Sequence, residues 1–171
     1  MFNKNIKLVL ALLIVAYAGY QFVDGEIGNG IFLILLALIF VFLYFRNELI
    51  LLSFLRMRKQ DLEGTEKWLK KIRNPQTALT TKQQGYYNYL HGIIYSQKNL
   101  TQAEKYFRKA LKLGLNMDYD LAMAKLSLAG IAMQKRRKRE ATTLLQEAKK
   151  LDKNNMLGEQ IKMMQQQLKR I

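Results

Sequence analysis

The chain has 171 residues, with 28 Lys and Arg against 13 Asp and Glu, no Cys and a single His. The absence of a thiol excludes disulfide scaffolds, thiolate catalysis and Cys-ligated metal sites, and a single His excludes a metal site with several His ligands from one chain. Only two basic and two acidic residues precede residue 46, so the whole net charge of +15 lies in residues 46–171. An apolar beginning followed by a basic remainder excludes a purely soluble globular protein.

Two long segments without charge lie near the beginning of the chain, at residues 8–23 and 27–45. As helices they would be about 24 and 28 Å long, enough to cross a bilayer when Ile6 and Lys7 extend the first. An acidic, glycine-rich turn joins them, which predicts a transmembrane helical hairpin over residues 1–45 with spans at about 6–23 and 27–45. Gln21 is the main polar interruption, which favours an anchor over a transport path. We expect Gly19 and the alanines to pack the two helices closely.

Basic residues flank both spans on one side only, whereas the turn contains Asp24 and Glu26. The flanking residues are Lys4, Lys7, Arg46, Arg56, Arg58 and Lys59. Basic residues that flank a membrane span remain on the cytoplasmic side, so both termini and the remainder of the chain are expected in the cytoplasm. A secretory signal peptide cleaved after Ala16-Tyr17-Ala18 is the alternative. It would leave the second span as the anchor and the C-terminal part still cytoplasmic.

The second span is predicted to continue without interruption into the polar part of the chain. No Pro or Gly occurs from Ile31 to Leu62. We therefore expect one long helix that leaves the bilayer and becomes, over about Asn47 to Gln60, the first helix of a cytoplasmic domain covering residues 46–171. Such a helix would mount that domain rigidly on the membrane.

An internal repeat with a period of 38 residues runs through the basic part. The recurring positions are Leu90, Gly92, Ala103, Phe107 and Ala110, followed by Leu128, Gly130, Ala141, Leu145 and Ala148. One period earlier the same register contains Leu62, Thr65, Leu69 and Ile72. Three copies with helical spacing predict repeated helix pairs.

The middle copy resembles the tetratricopeptide repeat family, in the spacing of Tyr87, Leu90, Ile94, Leu100, Ala103, Phe107 and Ala110. The resemblance implies an all-α fold in which the membrane hairpin is followed by a short solenoid of antiparallel helix pairs. Departures from the family are His91 in place of a small residue, and Lys98 and Arg136 in place of the turn glycine. The period also exceeds the family's usual length of about 34 residues.

Local signals support helices independently of this resemblance. Thr101 and Glu104 have the spacing of a capping box, and Gly114 is a helix stop. A final capping helix is predicted from about Asn155. Its apolar stripe is Leu157, Ile161, Met164, Leu168 and Ile171.

The resemblance also implies a concave groove that takes peptides, lined by the first helix of each pair. Its positions in this sequence are Asn88, Tyr89, Gly92, Tyr95, Met123, Ser127, Gly130 and Met133. Two open glycines and adaptable Met side chains could admit a partner's backbone or apolar side chains. Alternatively, these residues pack against the neighbouring helix or the final one.

Five consecutive positive charges lie at the turn between two helices: Lys135, Arg136, Arg137, Lys138 and Arg139. They form a solvated turn, or they bind anionic lipid headgroups or an acidic partner. Nucleic acid is disfavoured, because the stacking aromatics of an RNA-binding module are absent. His91 is expected to pack within its repeat, and Asp118 and Asp120 are expected to mark a helix N-terminus rather than a metal site.

The sequence therefore predicts a membrane-anchored scaffold or adaptor, in a bacterial inner membrane, that docks a partner protein at the cytoplasmic face. An assembly factor whose hairpin also binds partner helices is a second reading. An enzyme or transporter component with unrecognised chemistry is a third. No catalytic residue, cofactor, metal or small-molecule substrate is predicted.

Overall fold

The computed structural model describes residues 4–45 and 47–170, and the regular structure in these ranges is helical, which confirms the all-α class. Arg46 of the basic flank and Ile171 of the final stripe lie outside the described residues. The chain divides into two compact units, Met1–Thr80 and Thr81–Ile171. The first contains α1 (Lys4–Val23), α2 (Ile27–Phe45), α3 (Glu48–Arg58), α4 (Leu62–Lys70) and α5 (Pro75–Ala78). The second contains α6 (Thr81–Ser96), α7 (Leu100–Leu113), α8 (Asp118–Gln134), α9 (Lys138–Leu151) and α10 (Gly158–Leu168).

Helices α1 and α2 form a hairpin through a tight turn at Gly25, whose φ of +81° is a conformation that favours glycine. Small side chains lie buried where the helices meet: Ala11, Ala18 and Ala37. Gly30 contributes a close approach, since a Cβ there would lie 2.8 Å from the Phe22 ring. Gly19 does not, because no atom lies within 4 Å of its Cβ position. The expected packing by alanines is therefore observed, whereas the expectation for Gly19 is corrected.

Both helices of the hairpin are long and apolar enough to cross a membrane. The candidate spans are Ile6–Val23 and Ile27–Tyr44, and only 11% of each is buried within the protein. Their exposed side chains include Leu12, Leu13, Phe32 and Leu35, each more than half exposed. Exposure of such an apolar surface to water is unfavourable, whereas contact with lipid acyl chains is favourable.

The predicted continuous helix is interrupted between α2 and α3. Asn47 is in an extended conformation, with φ −62° and ψ 127°, and its side-chain oxygen accepts a hydrogen bond from the Leu49 N–H at 3.0 Å. This is the geometry of a helix N-cap. The absence of Pro and Gly did not ensure a continuous helix, because an Asn side chain can satisfy the free N–H groups at the start of a new helix.

The 38-residue period is present in the helix boundaries themselves. Helices α3, α6 and α8 end at Arg58, Ser96 and Gln134, and the N-caps of α4, α7 and α9 are Asp61, Asn99 and Arg137. Equivalent side chains are also equally buried, each at most 1% exposed: Thr65 and Leu69; Ala103 and Phe107; Ala141 and Leu145. The periodic sequence therefore specifies the same helix–turn–helix unit each time.

Within the second unit, α6 packs against α7, α8 against α9, and α7 against α8. Helices α8 and α9 share an apolar core with α10, to which Leu157, Ile161 and Leu168 contribute as predicted. That helix begins at Gly158 rather than near Asn155, because Asp152 first accepts hydrogen bonds from the N–H groups of Met156 and Leu157.

The predicted capping box of α7 is not formed. The cap is Asn99, whose side-chain oxygen accepts hydrogen bonds from the N–H groups of Thr101 and Gln102 at 3.0 and 3.1 Å. Because Thr101 is already inside the helix, the Glu104 carboxylate does not close a box and is available for contacts with other elements.

Candidate functional site

The groove residues on α6 are largely buried within the protein. Asn88 and Tyr89 are 4% and 5% exposed, and the Asn88 amide donates to the Gln84 carbonyl of its own helix at 2.6 Å. Gly92 faces the second helix of its own pair, where a Cβ would lie 2.8 Å from the Phe107 ring. Gly92 is thus a packing position, which corrects the expectation of an open glycine at this end of the groove.

The groove residues on α8 are partly covered by the final helix. Met133 is 6% exposed and belongs to the apolar core that includes residues of α10. A Cβ on Gly130 would lie 3.5 Å from Met164 of α10, and Met123 packs at the edge of the same core. Ser127 turns its hydroxyl back onto the Met123 carbonyl at 2.9 Å. The sequence left open whether the final helix fills the groove. Met164 of α10 approaches Gly130, but an open recess of about 360 Å³ lined by Gly130, Met133 and Met164 remains between α8 and α10.

A cluster of aromatic rings remains partly exposed along α6 and α7. Its members are Tyr87, His91, Tyr95 and Tyr106, hereafter the tyrosine cluster. Tyr95 and Tyr106 stack with ring centroids 5.2 Å apart, His91 stacks on Tyr106 at 5.1 Å, and Tyr87 meets His91 edge-on at 4.5 Å. His91 itself is 8% exposed, which confirms its expected packing role.

Tyr106 is a member of this cluster that the sequence pattern did not predict. The resemblance assigns groove positions to the first helix of each pair, and Tyr106 lies on the second. The available signal was its position directly before Phe107, which places its ring at the edge of the buried face of α7. The pKa of Tyr106 is raised from its ordinary value, mainly by burial and then by the neighbouring Tyr95.

The structure divides the five-residue basic run into ion-paired residues and exposed residues. Glu104 of α7 accepts a hydrogen bond from Lys135 at 2.8 Å and two from the Arg137 guanidinium at 2.7 and 2.8 Å. These contacts, chiefly those of Arg137, hold the pKa of the Glu104 carboxyl well below its ordinary value. Arg108 completes the network by bridging Glu104 and Glu140.

The other three residues of the run, Arg136, Lys138 and Arg139, are exposed. Lys138 also lines an open recess of about 570 Å³ between α9 and α10. The recess contains two further lysines, Lys162 and Lys169, with the amides of Gln165 and Gln166. The positive surface that can meet an anion therefore includes three residues of the sequence run, together with lysines far from it in sequence.

The two aspartates after Gly114 make structural contacts, and both lie in the first turn of α8 as expected. Asp118 forms an ion pair with Lys153 at 2.7 Å. Asp120 accepts a hydrogen bond from the Tyr86 hydroxyl at 2.7 Å, and that hydroxyl accepts one from the Asn116 N–H. Burial, with the adjacent Asp120, raises the pKa of Tyr86 to about 12. The hydrogen bonds of Tyr86 with Asp120 and Asn116 tie the start of α8 to α6.

Comparisons with known proteins were negative: no protein-family model or curated protein matches the sequence, and no solved structure matches the fold.

Proposed function

We propose that this protein is a membrane-anchored helical scaffold, similar to tetratricopeptide repeat proteins, that docks a partner protein at the cytoplasmic face of a bacterial inner membrane. The tyrosine cluster is the observation that carries the docking function. It presents three partly exposed tyrosines whose rings are held by stacking on His91 and on each other.

Anchoring is supported by the outward apolar surface of α1 and α2 and by the arrangement of charges around them. Lys7 lies at the beginning of the first span, Arg56 and Arg58 follow the second, and the charged residues of the turn are Asp24 and Glu26. By the positive-inside rule this asymmetry orients the turn away from the cytoplasm. Both termini and the helix pairs then lie on the cytoplasmic side.

Docking through the tyrosine cluster is supported by the chemistry of its side chains. Tyrosine offers a large, rigid contact area with a polar tip, and it is enriched among the residues that dominate protein–protein binding. Stacking fixes Tyr95 and Tyr106 before a partner arrives, so less side-chain entropy is lost on binding. Gly92 cannot serve in this way, because it is buried against the Phe107 ring.

Anionic lipid headgroups are a second partner of the same domain. The exposed Arg136, Lys138 and Arg139 and the lysines of the recess support this proposal. A basic residue near an anionic membrane surface contributes about 1 kcal/mol to binding, and that contribution is screened by salt.

Site-specific photocrosslinking in intact cells tests the docking proposal. A photoreactive side chain at Tyr106 should capture a defined partner, whereas the same group at Tyr119, an exposed tyrosine of α8, should not. With the purified partner, Tyr106→Ala should weaken binding about thirtyfold, equivalent to about 2 kcal/mol. Tyr119→Ala is the matched control. Equal losses in both variants, or identical crosslinks from both positions, would overturn the assignment of the tyrosine cluster.

A reporter fused at the C-terminal end tests the orientation separately. A fluorescent protein that matures only in the cytoplasm should be bright, and alkaline phosphatase should be inactive. The reverse result would place the helix pairs outside and remove both the cytoplasmic partner and the orientation argument.

An assembly factor is the second candidate function, and Gly19 favours it. This glycine lies on the exposed side of α1 with no atom within 4 Å of its Cβ position, and small residues let transmembrane helices approach closely. Gly19→Leu should then prevent co-purification of a membrane-embedded partner while leaving the hairpin inserted. Unchanged co-purification would count against a helix-binding role for α1.

A further inference from the structure

The short helix α3 has an apolar surface that its neighbours leave uncovered. Its inner side is packed: Ile50 and Ser53 are buried, and the Thr65 hydroxyl of α4 approaches the Ser53 carbonyl at 3.4 Å. On the outer side, Leu55 is 56% exposed and Leu52 is 36% exposed. A surface helix of a water-soluble protein would carry polar residues on that side.

The start of α3 is tied to the ends of both candidate spans. Lys7, in the second turn of α1, forms an ion pair with Glu48 in the first turn of α3. The Lys7 ammonium also donates to the carbonyl of Leu43 near the end of α2, at 3.3 Å. These contacts fix the beginning of α3 at the level where α1 begins and α2 ends.

The extended Asn47 lets α3 take a direction different from that of α2. Because it caps a new helix, α3 is not obliged to continue along the axis of the span. Its last turn carries Arg56 and Arg58, both exposed, followed by the exposed Lys59. Arg56 also forms an ion pair with Asp61 at 3.2 Å, while its side chain stays 52% exposed. The one acidic residue of α3, Glu48, is neutralised by Lys7. The helix therefore combines exposed leucines with a cationic C-terminal end.

We propose that α3 lies in the interface of the membrane, with Leu52 and Leu55 at the acyl boundary and Arg56 and Arg58 against anionic phosphate headgroups. Apolar side chains with flanking basic residues are the pattern that holds a helix in the plane of a bilayer surface. The occupant of this surface is lipid, because α3 begins at the level where the candidate spans end. The inference rests on the proposed anchoring of α1 and α2.

Fluorescence quenching in vesicles tests the inference on the full chain. The protein has no Cys, so a single introduced Cys can carry an environment-sensitive dye without background labelling. Three variants are compared in vesicles of phosphatidylcholine and phosphatidylglycerol: Leu55→Cys in α3, Leu35→Cys in α2 and Lys67→Cys in α4. Lys67 is the matched control, because it is exposed on the polar side of α4 in the same unit.

The dye at position 55 should be quenched by lipids brominated near the carbonyl end of the acyl chain, and aqueous iodide should quench it several times less than the dye at position 67. Equal access of iodide to both positions would overturn the inference. Protection from iodide without quenching by brominated lipid would also overturn it, since a protein partner or second copy would then cover the leucines.

The dye at position 35 separates this inference from the anchoring proposal. It should be quenched by lipids brominated deep in the acyl chain. If it is, while position 55 is open to iodide, only the placement of α3 fails. If position 35 is itself open to iodide, the anchoring proposal fails with it.

Discussion

The Arg137 guanidinium holds the Glu104 carboxylate in a two-point contact, with Nη2 to Oε2 at 2.7 Å and Nη1 to Oε1 at 2.8 Å. Arg137 is the N-cap residue of α9, and Glu104 lies in the second turn of α7. The contact therefore links two consecutive helix pairs. Planar two-point pairing is the geometry in which an Arg–carboxylate contact is strongest.

Replacing Glu104 by Gln should destabilise the second unit. Its side chain is only 14% exposed, and its loss leaves Arg108, Lys135 and Arg137 close together without their shared anion. We expect a loss of about 1–2 kcal/mol. The thermal midpoint of the helical circular dichroism signal, measured on the full chain in detergent, reports it.

Glu159→Gln is the matched control for this substitution, because Glu159 is exposed on α10. It should leave the midpoint nearly unchanged. Equal midpoints for the two variants would show that the Glu104 network contributes nothing to stability.

The stability that the Glu104 carboxylate contributes should depend on pH. The folded-state pKa of Glu104 is lowered from its ordinary value of 4.5, mainly because Arg137 donates hydrogen bonds to the ionised form. Its stabilising contribution is therefore complete above that ordinary value and is lost as the pH falls through the lower folded pKa. The difference in midpoint between the parent chain and Glu104→Gln should shrink between pH 7 and pH values of about 3. A difference that stays constant or grows on acidification would contradict the network.

Replacing Arg136 by Gly is predicted to stabilise the folded protein. Its φ of +58° lies in the left-handed region, which costs a residue with a side chain about 1–2 kcal/mol. Arg136→Gly removes this strain but makes the unfolded chain more flexible, so we expect a net gain of about 0.5–1 kcal/mol. Thermal unfolding of the full chain measures the change.

Arg139→Gly separates backbone strain from loss of charge. It removes the same charge from the same basic run, but Arg139 lies within α9, where glycine lowers helix stability by up to about 1 kcal/mol. The two variants should therefore shift the thermal midpoint in opposite directions. Shifts of the same sign would indicate that charge, and not φ, decides the outcome.

Equivalent glycines of two repeats should respond in opposite ways to alanine. Gly92→Ala would place a Cβ 2.8 Å from the Phe107 ring, and we expect it to destabilise the α6–α7 pair by about 1–3 kcal/mol. At Gly130 the nearest atom is Met164 Cε at 3.5 Å, an ordinary contact. Gly130→Ala should instead stabilise α8 by about 0.5–1 kcal/mol.

A double variant tests the cause of this difference. The last copy of the repeat has Leu145 where the middle copy has Phe107, so Phe107→Leu should relieve much of the clash in Gly92→Ala. Coupling between the two substitutions is measured from the unfolding midpoints of both single variants and the double variant. Strictly additive effects would show that the ring is not the obstacle.

Helix periodicity was the most informative property of the sequence. Apolar and small residues at positions such as Ala103 and Phe107 recur every 38 residues, and the same positions are buried in the structure. Burial of one helix face depends on local spacing, which a single sequence displays directly. The length and apolar character of α1 and α2 were visible for the same reason.

Contacts between elements distant in sequence could not be predicted in this way. Glu104 had the spacing of a capping box, yet the cap is Asn99 and the carboxylate binds Arg137, 33 residues later. A linear pattern gives the charge of a residue but not which opposite charge lies within reach. The division of the basic run into paired and exposed residues was therefore visible only in the structure.

The sequence by itself determined the all-helical class, the two apolar helices and the repeating helix–turn–helix unit, because these follow from local hydrophobic periodicity and helix-end signals. Only the tertiary structure decided that Asn47 separates α2 from α3, that Met164 of α10 lies against Gly130 and that Tyr106 joins Tyr95 in one partly exposed cluster. These features depend on which surfaces meet in space. That choice is made by packing among distant residues, where a Phe107 ring or a Met164 side chain fills the space that a sequence pattern leaves open.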